Sequence, residues 1–522
     1  MEMSLNIFSN LKDNHIIDDA KALIKKVYLD DNRPWVVGYS GGKDSTVVAQ
    51  LVFESLSELP KENLHKKVYI ISSDTMVETP LIIQSIDKTL HRMQAAAFAQ
   101  NLPIETHKVK PIIENTFWSL MIGRGYPAPN QKFRWCTDRL KIDPANHFIM
   151  DKVDSFGEVI MVLGVRENES QTRDHVIKSY TIEGKELMRH STLPNAYVFA
   201  PIKTLSLDDV WDYLLNNTSP WGDNNFDLHK LYQDSTGECP LVIDKNIKET
   251  AGSCGNSRFG CWTCTVVAED KALNGFIKSG SSWMRPLLEY RNYLADIRDD
   301  RSKRMKYRMN GQVYFTEVNI VEIENIKQVI IPKKSRKGKE EIPLSNYTIL
   351  EKNTLKEFII ENEIDLSSSD DPMILINLGN ERYGRLGVGP YTMEARKEML
   401  AKLLEVQKNL KNSHDKKFEL ITEEELRVIR RYWLTDGDWE DTLPKIYKEI
   451  IGCDLDWEIN DRPLFTQDQI FDLEQLCHEF DVDLNMIKKL ISLQKDFSGY
   501  KIRRGLMNEI EKILKQEYLH IS

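Results

Sequence analysis

The sequence predicts an α/β fold: a doubly wound, mostly parallel sheet, then a cysteine-rich segment, then a mainly helical C-terminal region. Three observations carry this. Strand-like and helix-like segments alternate over residues 1–215, as in a parallel sheet covered by helices. Residues 158–165 (EVIMVLGV) are apolar on both faces, the mark of a central parallel strand. Beyond Trp283 the alternation gives way to stretches of helical periodicity.

Taken in order, residues 35–39 (WVVGY) read as the first strand and 43–57 as the helix after it. Residues 67–71 make a second strand, 78–100 a long helix and 104–109 a third strand. The run at 158–165 follows, and 207–215 is a helix whose first turn holds Asp208 and Asp209, acids suited to its positive end. Residues 218–265 are loop-rich and hold most of the cysteines. Residues 284–310 look helical and basic, and 313–331 has strand character. Helical periodicity recurs at 391–410, 422–433, 466–480, 483–494 and 504–518. The expected division is 1–215 as the α/β domain, 216–285 as a cysteine-rich segment packed on it, and 286–522 as a mainly helical accessory region that docks partners.

The 522 residues are 41% hydrophobic and 29% charged, which suits a globular chain and excludes collagen-like and disordered classes. No apolar run approaches the roughly 20 residues of a membrane-spanning helix, and residues 1–15 lack the pattern of a secretory signal. The expectation is a cytoplasmic protein with no membrane partner. A net charge of -10 argues against a general basic coat but leaves local ones. Between Arg124 and Lys141 stand five basic residues (Arg124, Lys132, Arg134, Arg139, Lys141) and one acid, Asp138. Two further basic clusters, 301–308 and 333–339, read as a solvated helix face and an exposed loop.

The most informative string is Ser40-Gly41-Gly42-Lys43-Asp44-Ser45, between a buried strand and a helix. Two glycines allow a tight turn and a close backbone approach to an anion. The amides of Gly42, Lys43 and Asp44 would face a phosphate at the positive end of the helix. Ser40 and Ser45 add hydroxyls, and Lys43 adds charge. The spacing is not that of a Walker A loop, which needs G-x-x-x-x-G-K-[ST].

Cys239, Cys254, Cys261 and Cys264 fall within 26 residues, with Cys136 upstream; Cys453 and Cys477 stand apart and read as small core residues. Thiolates at such spacings ligate zinc or an iron–sulfur cluster, or form a redox pair. The spacing leaves these open.

The loop string resembles the PP-loop of the ATP pyrophosphatase superfamily (adenine nucleotide α-hydrolase-like), whose members cleave ATP between the α and β phosphates. Residues 72–80 (SSDTMVETP), 134–141 (RWCTDRLK) and 164–173 (GVRENESQTR) resemble its PAPS reductase-like branch. The resemblance implies nucleotide and phosphate binding by Ser40, Gly41, Gly42, Lys43, Asp44, Ser45, Asp74, Gly164 and Arg166. It implies catalytic roles for Lys43, Asp44, Arg166 and Arg173, the basic groups neutralising developing charge. Mg²⁺ would bridge phosphate oxygens, held by Asp44 or Asp74. It also favours a 4Fe-4S cluster on Cys136, Cys254, Cys261 and Cys264, with Cys239 as a spare ligand or persulfide carrier.

Residues 133–141 and 257–267 (SRFGCWTCTVV), with the long C-terminal extension, further resemble the DndC family, the ATP pyrophosphatases of bacterial DNA phosphorothioation. That resemblance implies DNA as substrate, ATP cleaved to AMP and pyrophosphate, and sulfur replacing a non-bridging backbone oxygen. The implied partners are a cysteine desulfurase (DndA or IscS type) and DndD- and DndE-like proteins. The alternatives are a PAPS or adenylyl-sulfate reductase, a PP-loop tRNA thiolase, and a non-catalytic scaffold. The segment around Arg134 and Arg139 is the preferred DNA contact.

Overall fold

The computed structural model describes residues 6–167, 186–190, 193–236, 260–332, 339–415, 418–455, 457, 467–480, 482–496 and 505–514. The chain divides into two compact units, each made of more than one stretch of sequence. Unit 1 takes residues 1–112, 134–264 and 269–288; unit 2 takes 113–133, 265–268 and 289–522.

Unit 1 is built on a six-stranded sheet of β1 (Trp35–Gly38), β2 (Val68–Ser73), β3 (Ile104–Val109), β4 (Val159–Val162), β5 (Leu187–Arg189) and β6 (Ala196–Phe199). Their order is β3-β2-β1-β4-β6-β5. All pairs are parallel except the β5–β6 edge pair. β1 lies at the centre, with Trp35 opposite Val68 on one side and Ile160 on the other. The order reverses between β1 and β4, which opens a crevice at the carboxyl ends of the strands.

The helices of unit 1 are α1 (Asn6–Leu29), α2 (Lys43–Ser57), α3 (Pro80–Ala99), α4 (Asp143–Phe156), α5 (Leu207–Asn216), α6 (Asn225–Thr236) and α7 (Lys271–Lys278). Twelve of the fifteen residues of α2 are buried. A helix enclosed on nearly every side is a rigid mount for the loop at its N-terminus. Its one fully buried amide side chain, Gln50, donates to Asn225 Oδ1 at 2.8 Å. α3 begins with Pro80, which has no N–H to leave unsatisfied in a first turn.

The predicted helix at 43–57 and strand at 104–109 form with those bounds. β4 is shorter than the apolar run at 158–165, because the chain turns at Gly164 to pass against α2. α1, α4, α6, α7 and the β5–β6 edge were not anticipated.

Unit 2 holds a second six-stranded sheet besides its helices. Its strands are β7 (Phe315–Ile323), β8 (Ile326–Pro332), β9 (Lys339–Pro343), β10 (Thr348–Leu350), β11 (Ile374–Gly379) and β12 (Arg382–Leu386), ordered β10-β11-β12-β7-β8-β9. Only the β10–β11 pair is parallel. The C-terminal region is thus helical with a mixed sheet added, of which the strand character at 313–331 foreshadowed only the β7–β8 hairpin. Its main helices are α8 (Arg285–Arg298), which leads in from unit 1, then α9 (Leu355–Glu361), α10 (Met393–Ser413), α11 (Glu423–Thr435) and α12 (Thr442–Ile451). After these come α13 (Gln467–Glu479), α14 (Leu484–Asp496) and α15 (Leu506–Leu514). Residues 113–133 belong here through buried anchors. Trp118 Nε1 donates to Leu420 O at 2.7 Å, Trp433 Nε1 to Ile122 O at 2.9 Å, and Arg396 Nη1 to Gly123 O at 2.6 Å.

Two smaller readings are corrected. The basic residues at 301–308 are not a solvated helix face: α8 stops at Arg298, and Arg304 and Lys306 are buried. Arg304 Nε donates to Gly389 O at 2.6 Å, and Arg301 pairs with Asp371 at 2.7 Å. These groups are internal cross-links. Cys453 is exposed rather than a core residue, whereas Cys477 is buried as expected. Residues 333–338 of the third basic cluster lie outside the described residues. Among the described residues no helix is long and apolar enough to cross a membrane.

Candidate active site

The site sits at the carboxyl edge of the unit 1 sheet, where the segments after β1, β2 and β4 leave the strands. After β1 the chain makes the turn Ser40–Gly42. Gly41 has φ +70, and a Cβ there would lie 2.7 Å from Ile86 Cγ1, so only glycine fits without strain. Gly42 caps α2 without any side-chain hydrogen bond. Ser45 Oγ and Thr46 Oγ1 each donate to Gly42 O at 2.9 Å, and Ser40 N donates to Ser45 Oγ at 3.2 Å. The serines therefore shape the turn. The first-turn amides, with the helix dipole behind them, form an anion-binding concavity.

Lys43 and Arg166 are both buried, and both reach Asp44. Lys43 Nζ lies 3.1 Å from Asp44 Oδ2, and Arg166 Nε donates to Asp44 Oδ1 at 2.6 Å. Two cations to one carboxylate leave this corner net positive. Gly164 brings the segment after β4 this close. A Cβ on it would lie 2.9 Å from the backbone carbonyl carbon of Asp44. Lys43, Asp44, Gly164 and Arg166 are thus one contiguous cluster. Arg173 lies outside the described residues.

Asp74 directly follows β2 and is buried. Its Oδ1 accepts the Met76 N–H at 2.9 Å, and Lys108 and Lys110 approach its Oδ2 at 3.5 and 3.6 Å. These two lysines were missed. The only trace in sequence is their two-residue spacing, with Lys108 in β3 and Lys110 just past its end.

The cysteines meet the same edge. Cys261 forms a single antiparallel bridge with Glu78, and Trp262 N donates to Val77 O at 3.1 Å. Thr79 Oγ1 donates to Gly260 O at 2.9 Å, a further tie between the two segments. Cys261 Sγ lies 3.4 Å from Thr75 Oγ1, and Cys264 N donates to Cys261 O at 3.0 Å. Burial, then the Glu78 carboxylate, hold the Cys261 thiol well above its ordinary pKa; burial, then the Cys264 thiol, raise that of Cys136. Lys141 pairs with Glu78 at 3.3 Å. Burial alone would lower its pKa, but Cys261 and Glu78 more than offset this and raise it.

Three of the four proposed ligands, Cys136, Cys261 and Cys264, therefore share one electrostatic neighbourhood. Cys254 and Cys239 lie outside the described residues. Among the described residues no group of three or more His, Cys, Asp or Glu is placed to hold a metal ion. Soft sulfur donors whose neutral form is favoured by burial become thiolates when a cation takes up their charge. The donor set fits a thiolate-bound cluster in kind, with the fourth donor outside the described residues.

A strand-to-helix loop of this composition, at the switch point of a parallel sheet, is built to receive a phosphate. Residues 34–267 match the family model of the phosphoadenosine phosphosulfate reductase domain. A curated relative, an uncharacterized protein of Methanocaldococcus jannaschii, is 24% identical over 278 residues, 52% of this chain. The match spans 45% of that relative, less than half its length. Among solved structures, the phosphoadenylyl-sulfate reductase of Candida auris is similar at 13% identity and TM-score 0.26, covering 44% of this chain and 93% of that one. The U34-tRNA thiolase of Methanococcus maripaludis, solved with its 4Fe-4S cluster, is similar at 15% identity and TM-score 0.27, covering 46% and 76%. The FMN adenylyltransferase of Candida glabrata is 16% identical at TM-score 0.26, covering 44% and 64%.

Proposed function

We propose that this chain is an ATP pyrophosphatase that activates a DNA backbone phosphate for sulfur insertion. The observation that carries the nucleotide part is the Lys43–Asp44–Arg166 cluster at the N-terminus of α2, a net positive corner beside the amides of the helix's first turn. The substrate part rests on the resemblance of residues 133–141 and 257–267 to the DNA phosphorothioation enzymes. A non-bridging DNA oxygen attacks the α-phosphorus of ATP, the α–β P–O bond breaks, and pyrophosphate leaves with the electron pair. A sulfur nucleophile then attacks the DNA phosphorus, and AMP departs with the former non-bridging oxygen. If the nucleophile is a protein persulfide, a thiol must reduce the resulting S–S bond to release the phosphorothioate.

The chain's own residues do the positioning. Lys43, Arg166 and the α2 amides hold the departing pyrophosphate, and such fixed charge is the main source of rate in phosphoryl transfer. Asp44 or Asp74 would carry Mg²⁺ between phosphate oxygens. Cys136, Cys254, Cys261 and Cys264 would hold a 4Fe-4S cluster, which supplies a sulfur- or electron-handling centre when bound. Arg134 and Arg139, exposed on either side of Cys136, would take the DNA backbone. A cysteine desulfurase of the DndA or IscS type supplies sulfur, and DndD- and DndE-like proteins complete the assembly.

The test supplies ATP, duplex DNA, a cysteine desulfurase with cysteine, and a thiol reductant. The DNA is then digested and phosphorothioate dinucleotides are sought by mass. The expected result is phosphorothioate formation with matched pyrophosphate release. Sulfite formed from PAPS and thiol, with DNA unmodified, would instead make the chain a reductase.

A further inference from the structure

The phosphate loop has a neighbour that neither its motif nor the family match assigns. Tyr232, on α6, is separated from Lys43 by 189 positions, yet the Lys43 N–H donates to its hydroxyl at 3.3 Å. A Cβ on Gly42 would lie 3.3 Å from the same oxygen. Lys43 Nζ lies 5.5 Å from the centre of the Tyr232 ring. The phenol oxygen therefore stands where an oxygen of a bound phosphate would meet the first amide of α2.

The side chain is held there. Tyr232 is 5% exposed. Its ring meets Trp211 of α5 edge-on, with centroids 5.2 Å apart at 86°. Ser235 Oγ donates to Tyr232 O at 2.9 Å, and α6 is further tied to α2 through Asn225 and Gln50. A side chain anchored on two helices does not swing away cheaply. A hydroxyl can nonetheless accept one N–H and turn its own proton to another acceptor.

We propose that Tyr232 is a pyrophosphate ligand of this site: its hydroxyl accepts the Lys43 N–H and donates its proton to a β- or γ-phosphate oxygen. The ring beneath Lys43 Nζ holds the ammonium over the same anion. This rests on the PP-loop reading and adds a residue to it. Tyr232 then senses the pyrophosphate end of the nucleotide and not the adenylate end. A residue that merely packs α6 against α2 would not discriminate between them.

The test measures binding of inorganic pyrophosphate, ATP and AMP to the full chain by calorimetry, comparing the wild type with Tyr232→Phe. Losing a hydrogen bond to a charged group should weaken pyrophosphate and ATP roughly tenfold, with AMP unchanged. Tighter pyrophosphate binding would show that the hydroxyl blocks the loop, and equal affinities, or losses shared by AMP, would show packing alone; each overturns the proposal. Should Tyr232→Phe misfold, 3-fluorotyrosine placed at position 232 gives a second reading. Its fluorine resonance should move with pyrophosphate and not with AMP, and no movement overturns the proposal. Lys43→Ala is the control for the underlying reading. A wild-type chain that binds no pyrophosphate, or a Lys43→Ala variant that binds it normally, removes the PP-loop assignment itself. Pyrophosphate binding that depends on Lys43 and ignores Tyr232 removes only the present inference.

Discussion

Asp44 lies between Lys43 at 3.1 Å and Arg166 at 2.6 Å. If the carboxylate had only Lys43, the pair would be neutral and would offer little to a polyanion; Arg166 supplies the surplus positive charge. Arg166→Ala should therefore slow pyrophosphate release from ATP by about 100-fold, the usual loss when one fixed charge-stabilising group is removed. Arg166→Lys should recover only part, since an ammonium cannot reproduce the guanidinium's geometry toward Asp44. Steady-state pyrophosphate release at saturating ATP measures both, and wild-type rates in the alanine variant would take Arg166 out of the reaction. Arg166 was legible because it follows Gly164 in a recognisable string. Tyr232 was not: it is an aromatic residue on an ordinary amphipathic helix, and only the folded chain carries it to Lys43.

Elements were legible where one segment carries its own signal. The enclosed helix α2 and the run that holds β4 announce themselves by apolar pattern and length. The β5–β6 edge does not, because strands of three and four residues have too few positions to show a period. Helix α11 was legible by periodicity, and its start shows a consequence the pattern hides. Thr422 and Glu425 form a capping box, with Glu425 Oε2 accepting the Thr422 N–H at 2.9 Å. Glu425 is 1% exposed, and burial pushes its carboxyl up to about 7 from 4.5. The folded state thus keeps this proton over a range in which the unfolded chain has lost it. Stability from this group is complete below about pH 4.5 and drains away as the pH rises toward 7. Glu425→Gln retains a carbonyl acceptor for the Thr422 N–H and cannot ionise. Between pH 5 and 7.5 the wild type should lose about 2 kcal/mol of unfolding free energy relative to this variant. Urea unfolding at the two pH values measures it, and identical pH dependence in the two proteins would mean that the carboxyl does not titrate there.

At the scale of the whole molecule, the alternation of residues 1–215 revealed the parallel sheet, but not that residues 113–133 leave it to join unit 2. That excursion is fixed by bonds such as Trp118 to Leu420, 302 positions apart, which no local pattern encodes. The same limit applies to charge. The chain carries a net -10, so attraction to a nucleic acid must come from a local patch. Arg134 and Arg139 are exposed in unit 1 around Cys136, and among the described residues Arg139 is engaged only by its i+4 neighbour Asp143, at 3.1 Å. An exposed pair of that kind is worth under about 1 kcal/mol and yields readily to a phosphate. The Arg134→Ala/Arg139→Ala variant should therefore keep its affinity for ATP, since neither residue belongs to the Lys43–Asp44–Arg166 cluster. Its affinity for duplex DNA should fall, and the slope of log affinity against log salt should flatten by about 2, one counterion released per lost phosphate contact. Fluorescence anisotropy of a labelled duplex across a salt series measures both quantities. An unchanged slope would place the DNA elsewhere on the chain or on a partner. A weaker affinity with an unchanged slope would mean that the two arginines act through folding rather than through phosphate contact.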